Sequence, residues 1–429
     1  MSPTLAYILG IIVLIVGIAV SVALHELGHM IPAKRFGVKV PEYFIGFGPR
    51  LWSVRRGETE YGVKAIWLGG YVRLLGMLPP ARPDRPDKPG SMVADARQES
   101  LDELGPDERD RAFYRLTVPR KLLVMAGGIL TNLVLGILCL VLALGAVGQY
   151  TRTSTISSVG ACVPADVDAG GSECATDDPS PAAAADLRVG DEIVSWNGAR
   201  TPAWEDVQKA IRSGGTEPAE VVVRRDGAET TLSVTPVEVE RTVTASDGST
   251  SKELRPYVGI GPGLGTVRVP ISRVPGAVAT AVGQTLKAIF TLPVGLYHSV
   301  AAGLGLEQRS ADGLVSLVGV GRIAGEVSSE GVGTGAIPFS ARLSSMLSLL
   351  GSLNLALFAF NLVPLLPLDG GHVAGACWEG VRRVWARRRG RPDPGPVDTA
   401  RMLPVGQVVL VALVVMALVL IWVDIVAPF

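Results

Sequence analysis

His25-Glu26-Leu27-Gly28-His29 closes a run, residues 5–32, in which Glu26 is the single Asp, Glu, Lys or Arg. A stretch of that length and apolarity reads as a membrane-spanning helix. On a helix the imidazoles at i and i+4 share one face, so both reach one Zn²⁺. The glutamate between them can take a proton from water activated there. The first flanking charges, Lys34 and Arg35, begin nine residues after His25. At ~1.5 Å rise per residue, the site lies on the order of 13 Å inside the interface they mark. Ionisable groups at that depth cost several kcal/mol unless something pairs with them.

The rest of the chain is consistent with a membrane setting. Of 429 residues, 48% are hydrophobic and 19% charged, with mean hydropathy +0.36. That is too apolar for an ordinary soluble protein and too charged for a bundle with no soluble part. The formal net charge is +0, so no basic field points to nucleic acid. Four stretches are long enough to span: 5–32, 121–147, 343–366 and 403–426. The first has no basic leader and no small-residue cleavage site, so it does not read as a cleaved signal. Lys34 and Arg35 follow the first span, and Arg120 and Lys121 precede the second. Arg382, Arg383, Arg387, Arg388, Arg389, Arg391 and Arg401 follow the third. Positive charge places those loops in the cytoplasm and leaves both termini and 148–342 outside. The arginines 387–391 read as a topology determinant and a lipid-headgroup contact. Cys139 and Cys377 fall in the second span and the cytoplasmic part. Cys162 and Cys174 fall in the exterior segment, where disulfides persist. Bridging them would contribute roughly 3 kcal/mol in the chain-entropy model, two free thiols being the other reading.

Between the spans the pattern changes. Arg50–Arg55 and Thr59–Ile66 flank a turn at Arg56-Gly57-Glu58, predicting a β-hairpin. Leu68-Gly69-Gly70-Tyr71-Val72 follows, and open backbone at membrane depth needs protein or a water-filled cavity to receive it. Residues 79–112 are rich in Pro, Asp, Glu and Arg without apolar periodicity, predicting a solvated loop. Residues 150–182 look like a linker. From Ala182 to Val237 strand and helix signals alternate: a strand to Trp196, a turn at Asn197-Gly198, a helix over Trp204–Ile211 and a hairpin around Asp226-Gly227. That order and Leu187-x-x-Gly190-Asp191-x-Ile193 resemble a PDZ domain. Residues 255–275 continue as short strands, and 280–305 read as an amphipathic helix interrupted at Pro293, lying on the outer surface.

Two histidines leave zinc short of a site, since catalytic centres usually take three protein ligands and leave one position open. The strongest further candidate is Asp369, in Asn361-Leu-Val-Pro364-Leu-Leu-Pro367-Leu-Asp369-Gly-Gly-His372. Proline removes backbone donors, so this segment is predicted to unwind and can aim Asp369 into the bundle. His372 is the rival ligand. Asn132 is predicted to bond and pack the second span rather than to do chemistry.

An HExxH in the first span and Asn-x-x-Pro-x-x-Pro-x-Asp-Gly in the third resemble the site-2 protease family of intramembrane zinc metalloproteases. Phe47-Gly-Pro, Leu68-Gly-Gly-Tyr-Val and the exterior PDZ-like region are similar to its bacterial members. The resemblance implies one Zn²⁺ per chain on His25, His29 and Asp369, with Glu26 as general base. It implies that Asn361 contacts the substrate or the developing oxyanion. It also implies that the 63–74 stretch, with Gly69 and Gly70, pairs with an extended substrate. The spacing Pro364-Leu-Leu-Pro367 departs from the tighter proline run of many members, which puts the shape of the bend in doubt. Partners implied are single-span membrane proteins such as anti-sigma factors, the lipid bilayer, and a peptide or carboxyl-terminal segment at the PDZ-like region. The setting implied is the bacterial cytoplasmic membrane. A PDZ-containing adaptor, a zinc transporter and a protease with its site in a soluble domain are the competing classes. The spans carry few polar residues for transport, and an adaptor needs no Glu26.

The expected fold is a polytopic α-helical membrane protein of about four transmembrane helices, with a membrane-associated β-element and an extracytoplasmic α+β PDZ-like domain. Its divisions are 1–35, the first transmembrane helix with HExxH; 36–119, a cytoplasmic loop with a re-entrant β-element; and 120–148, the second transmembrane helix. A linker (149–180), the PDZ-like domain (181–275) and an extracytoplasmic amphipathic helix and loop (276–342) follow. The third transmembrane helix with the Asp segment (343–372), a basic cytoplasmic loop (373–402) and the fourth transmembrane helix (403–429) complete it.

Overall fold

A computed structural model describes residues 2–82, 84–164, 174–244, 250–310, 313–330, 332 and 337–428. The chain divides into two units, residues 1–147 with 270–429 and residues 148–269.

In the first unit α1 runs Pro3–Arg35, started by Ser2, whose hydroxyl accepts from the Leu5 amide. Strands β1 (Glu42–Arg56) and β2 (Thr59–Arg73) then pair antiparallel across Gly57, whose φ is +65°. Their register is folded over. Residues 42–45 pair with 60–63 on one side and with 70–73 on the other, leaving 70–73 at an edge of the small sheet. Gly46 and Gly48, with φ of +91° and +81°, take the backbone through the bend. Tyr43 donates to the Ala23 carbonyl at 2.7 Å and Lys34 to the Tyr61 hydroxyl at 2.9 Å, docking the sheet on α1.

Residues 79–112 are not the solvated loop that their composition predicts. They include α2 (Met92–Asp102), and Leu104 and Ala112 are buried. Arg97, only 3% exposed, donates to Asp87 at 2.6 Å, to Asp398 at 2.9 Å and to the Pro79 carbonyl. Much of the order rests on a charged residue and its partners, which apolar periodicity does not detect. Next comes α3 (Val118–Val141), continued by a wider turn over Leu142–Val147.

The second unit begins with β3 (Gln149–Val159), β4 (Cys162–Pro164) and β5 (Cys174–Pro179). The segment read as a linker over 149–180 is therefore largely strand, residues 165–173 lying outside the described ones. Its sheet partner, β12, is about 110 residues away in sequence, so no local signal marks the pairing. Cys162 and Cys174 form a disulfide with Cα atoms 5.7 Å apart. Then follow α4 (Pro181–Ala184), β6 (Glu192–Trp196), β7 (Ala199–Arg200), α5 (Trp204–Gly214), β8 (Ala219–Arg225), β9 (Ala228–Val234), β10 (Val237–Thr244), β11 (Thr250–Tyr257) and β12 (Ile260–Val267). The main sheet has the order β12-β3-β6-β8-β9, with β7 beside β6, and β10-β11 form a separate ribbon. Asn197-Gly198 and Asp226-Gly227 take the left-handed conformations that two-residue hairpin turns require. Ile156, Ile193, Trp196, Val207, Val221 and Val223 pack the core.

Returning to the first unit, α6 covers Val274–Gly303, α7 Leu317–Ser329, α8 Phe339–Asn361, α9 Asp369–Arg388 and α10 Leu403–Val426. α6 is continuous through Pro293 rather than interrupted there. Proline costs one helical hydrogen bond and crowds the preceding turn, but a long helix can carry it. Among the described residues, five helices are long and apolar enough to cross a membrane, and α6 is the one beyond the four expected. The stretch 373–402 is likewise not simply a basic loop, because α9 occupies it to Arg388. Its Glu379 is 2% exposed and pairs with Lys121 of α3 at 2.8 Å and with Arg383 at 3.0 Å.

Candidate metal centre

Helix α1 presents His25 and His29 on one face, with their Nε2 atoms 3.3 Å apart and their rings edge-on at 4.8 Å between centroids. Asp369 Oδ2 lies 3.3 Å from His25 Nε2 and 3.2 Å from His29 Nε2. The three donor atoms therefore form a nearly equilateral triangle. Ligands of a tetrahedral zinc, each at ~2.0–2.1 Å, stand about 3.3–3.4 Å from one another. The size of the triangle suits that ion, and a His₂Asp donor set leaves a fourth position open. Asp369 Oδ2 is buried without a hydrogen-bond donor. An acceptor so placed against two imidazole nitrogens needs a cation or a proton between them.

Local sequence explains how each ligand reaches the triangle. His29 Nδ1 lies 2.8 Å from the Val124 carbonyl, which accepts the Nδ1–H hydrogen bond and leaves the Nε2 lone pair facing inward. Helices α1 and α3 approach closely at glycines. A Cβ on Gly28 would sit 2.6 Å from the Gly127 carbonyl oxygen, and one on Gly128 would overlap the His29 ring. Asp369 arrives differently. α8 stops at Asn361, the chain turns through 362–368 with a cis Leu366–Pro367 bond, and α9 restarts with Asp369 as its first residue. Gly370 and Gly371 let that first turn fold back on Val363 and Leu366, the Leu366 amide lying 2.7 Å from where a Gly371 Cβ would be. Beneath the centre, the Lys121–Glu379 pair joins α3 to α9, and Glu379 also accepts from the Val397 amide at 3.1 Å.

The other candidates fall in different places. Glu26 is half-buried, and its Cγ lies 3.4 Å from where a Cβ on Gly70 would be. The 70–73 edge of the small sheet thus runs beside the glutamate. Gly69 packs against the Phe47 ring. Asn361 is half-buried at the last turn of α8, eight residues before Asp369. His372 lies one turn along α9 and is not part of the three-residue cluster. Asn132 is 1% exposed with its Oδ1 unpartnered. Reading the sequence for chemistry did not single out the Val124 carbonyl, Gly28, Gly128 or Lys121–Glu379. The Gly127-Gly128 pair in an apolar run is the signal that could have located the helix crossing.

Residues 13–392 match peptidase family M50. The chain is 35% identical to the zinc metalloprotease Rip1 of Mycobacterium tuberculosis strain H37Rv over 441 residues, covering 98% of each chain. It is 32% identical to the zinc metalloprotease Rip1 of Mycolicibacterium smegmatis over 444 residues, again with 98% of each covered. It is 28% identical to the metalloprotease MmpA of Caulobacter vibrioides over 389 residues, covering 88% of each.

Proposed function

This chain belongs to peptidase family M50, and from that premise we propose that it hydrolyses peptide bonds within the transmembrane segments of single-span proteins. It is a zinc-dependent membrane metalloprotease, and the Rip1 relatives are named zinc metalloproteases. The reaction would be the second cut of regulated intramembrane proteolysis, with anti-sigma factors among the clients. The observation that carries this reading is a zinc-sized triangle of donors built from α1 and the first residue of α9. The first two donors belong to a helix whose flanking sequence is apolar enough to span a bilayer.

His25, His29 and Asp369 would hold the zinc ion, which would supply Lewis acidity for the scissile carbonyl and for the attacking water. Glu26 takes the proton released as water adds to the carbonyl carbon, and returns it to the amine as the C–N bond breaks. The Val124 carbonyl keeps His29 in the tautomer whose Nε2 can ligate. Asn361 is assigned to the substrate carbonyl or its developing negative charge. A helical substrate must first release its own backbone hydrogen bonds, and the 70–73 edge beside Glu26 can replace them by strand addition. Gly69 and Gly70 allow the close approach.

In this reading the second unit is a PDZ-like domain outside the membrane that docks peptide segments and limits access. With α1, α3, α8 and α10 as the crossings and α6 kept at the outer surface, the basic loops face the cytoplasm, both termini face outward, and the membrane is the bacterial cytoplasmic one. We further propose that the PDZ-like unit starts at β3 and that α9 belongs to the catalytic unit.

Co-expression of single-span candidates with the wild type and with Glu26→Gln tests the proposal. A truncated, uncut membrane intermediate should accumulate with the variant alone. Full turnover by Asp369→Ala, or purified protein that holds no zinc, would overturn it.

A further inference from the structure

The second unit carries a groove of about 370 Å³ between α5 and the segment joining β11 to β12. Its floor is apolar, made by Trp204, Ile211 and Val258, each less than a tenth exposed. Its rim is basic. Arg212 rises from α5, Arg241 from β10 and Arg255 from β11, and no Asp or Glu lines it among the described residues. Glu253 steadies Arg255 at 2.9 Å from outside the groove, leaving the guanidinium with further donors. Alongside, β12 pairs with β3 on one side only among the described strands, so its other edge offers unpaired backbone groups where Ile260 enters the groove.

From these features we propose that the groove binds extended peptide segments in which Asp or Glu alternates with apolar residues. A strand added beside β12 sends successive side chains to opposite faces. One set meets the Trp204–Ile211–Val258 floor, and the other meets the three arginines, whose planar forks bind carboxylates through paired hydrogen bonds. This deepens the docking reading of the second unit: clients are selected by acidic extracytoplasmic segments, apart from the bond that is cut.

The test uses the full chain carrying Glu26→Gln in neutral detergent, with fluorescein-labelled decapeptides of alternating Val and Glu or alternating Val and Lys. Fluorescence anisotropy should show the Glu peptide binding at least tenfold tighter than the Lys peptide, with the preference shrinking as salt rises. Arg241→Glu/Arg255→Glu should reverse the order. Equal binding of the two peptides to the unmodified arginines overturns the proposal without reliance on any groove variant. An unchanged preference in a folded double variant overturns it as well. Client hydrolysis is scored separately with Glu26 intact. Hydrolysis without acidic preference removes this inference alone, and acidic preference without hydrolysis removes the proteolytic reading alone.

Discussion

Replacing Gly28 with alanine sets helix propensity against packing. In an isolated helix interior the change is favourable by about 1 kcal/mol. Here the new methyl carbon would lie 2.6 Å from the Gly127 carbonyl oxygen and 2.5 Å from Thr131 Oγ1. Neither neighbour yields readily: one is backbone, and the hydroxyl is tied to that same carbonyl at 2.8 Å. Restoring an ordinary 3.4 Å contact from 2.6 Å requires α1 and α3 to separate by about 0.8 Å. Applied to the 2.8 Å link from His29 Nδ1 to the Val124 carbonyl, that displacement gives about 3.6 Å, beyond a useful hydrogen bond. Loss of such a partner typically weakens a metal site about 10- to 100-fold. We therefore expect Gly28→Ala to lower zinc affinity at least tenfold in competition with a chromophoric chelator, and Gly28→Val to lower it further. Unchanged zinc affinity, with the raised thermal stability that propensity alone forecasts, would refute the argument that this helix crossing sets the ligand geometry.

Other expectations follow from the same structure. Lys121→Met leaves Glu379 buried without its α3 partner and should cost about 3 kcal/mol, while Lys121→Met/Glu379→Met should recover part of that, as read by thermal unfolding in detergent. Gly70→Ala places a methyl 2.9 Å from the Phe44 carbonyl and from Val22, so client cleavage should fall while zinc content holds. In the second unit, paired hydrogen bonds from Arg225, 2.8 Å each, hold the Asp191 carboxyl below the ordinary carboxylate range. A lowered folded-state pKa stabilises above the unfolded value of about 3.9 and is lost as pH falls through the folded value. Protection factors of the 186–191 amides should therefore hold from neutrality to about pH 4 and fall below it, and Arg225→Ala should weaken that dependence, the Arg188 amide remaining as a donor to Asp191.

What could be read from the chain alone was whatever depends on neighbours in sequence. HExxH at i, i+4 in an uncharged run dictated two nitrogens on one helical face, and the prolines around 364–367 marked where α8 must stop. Asn197-Gly198 and Asp226-Gly227 named their turns because few residues besides glycine, Asn and Asp tolerate positive φ. The family followed from those motifs in their order. Composition misled where order comes from buried ion pairs, as at Arg97 in 79–112 and Glu379 in α9, or from strands as far apart as β3 and β12. Only the folded chain could bring Asp369 within 3.2 Å of His29 across 340 residues, turn residues 42–45 into a strand paired on both sides, and gather three arginines at one groove. Each depends on contacts between distant segments. Side-chain type restricts such contacts without choosing among them; packing makes the choice.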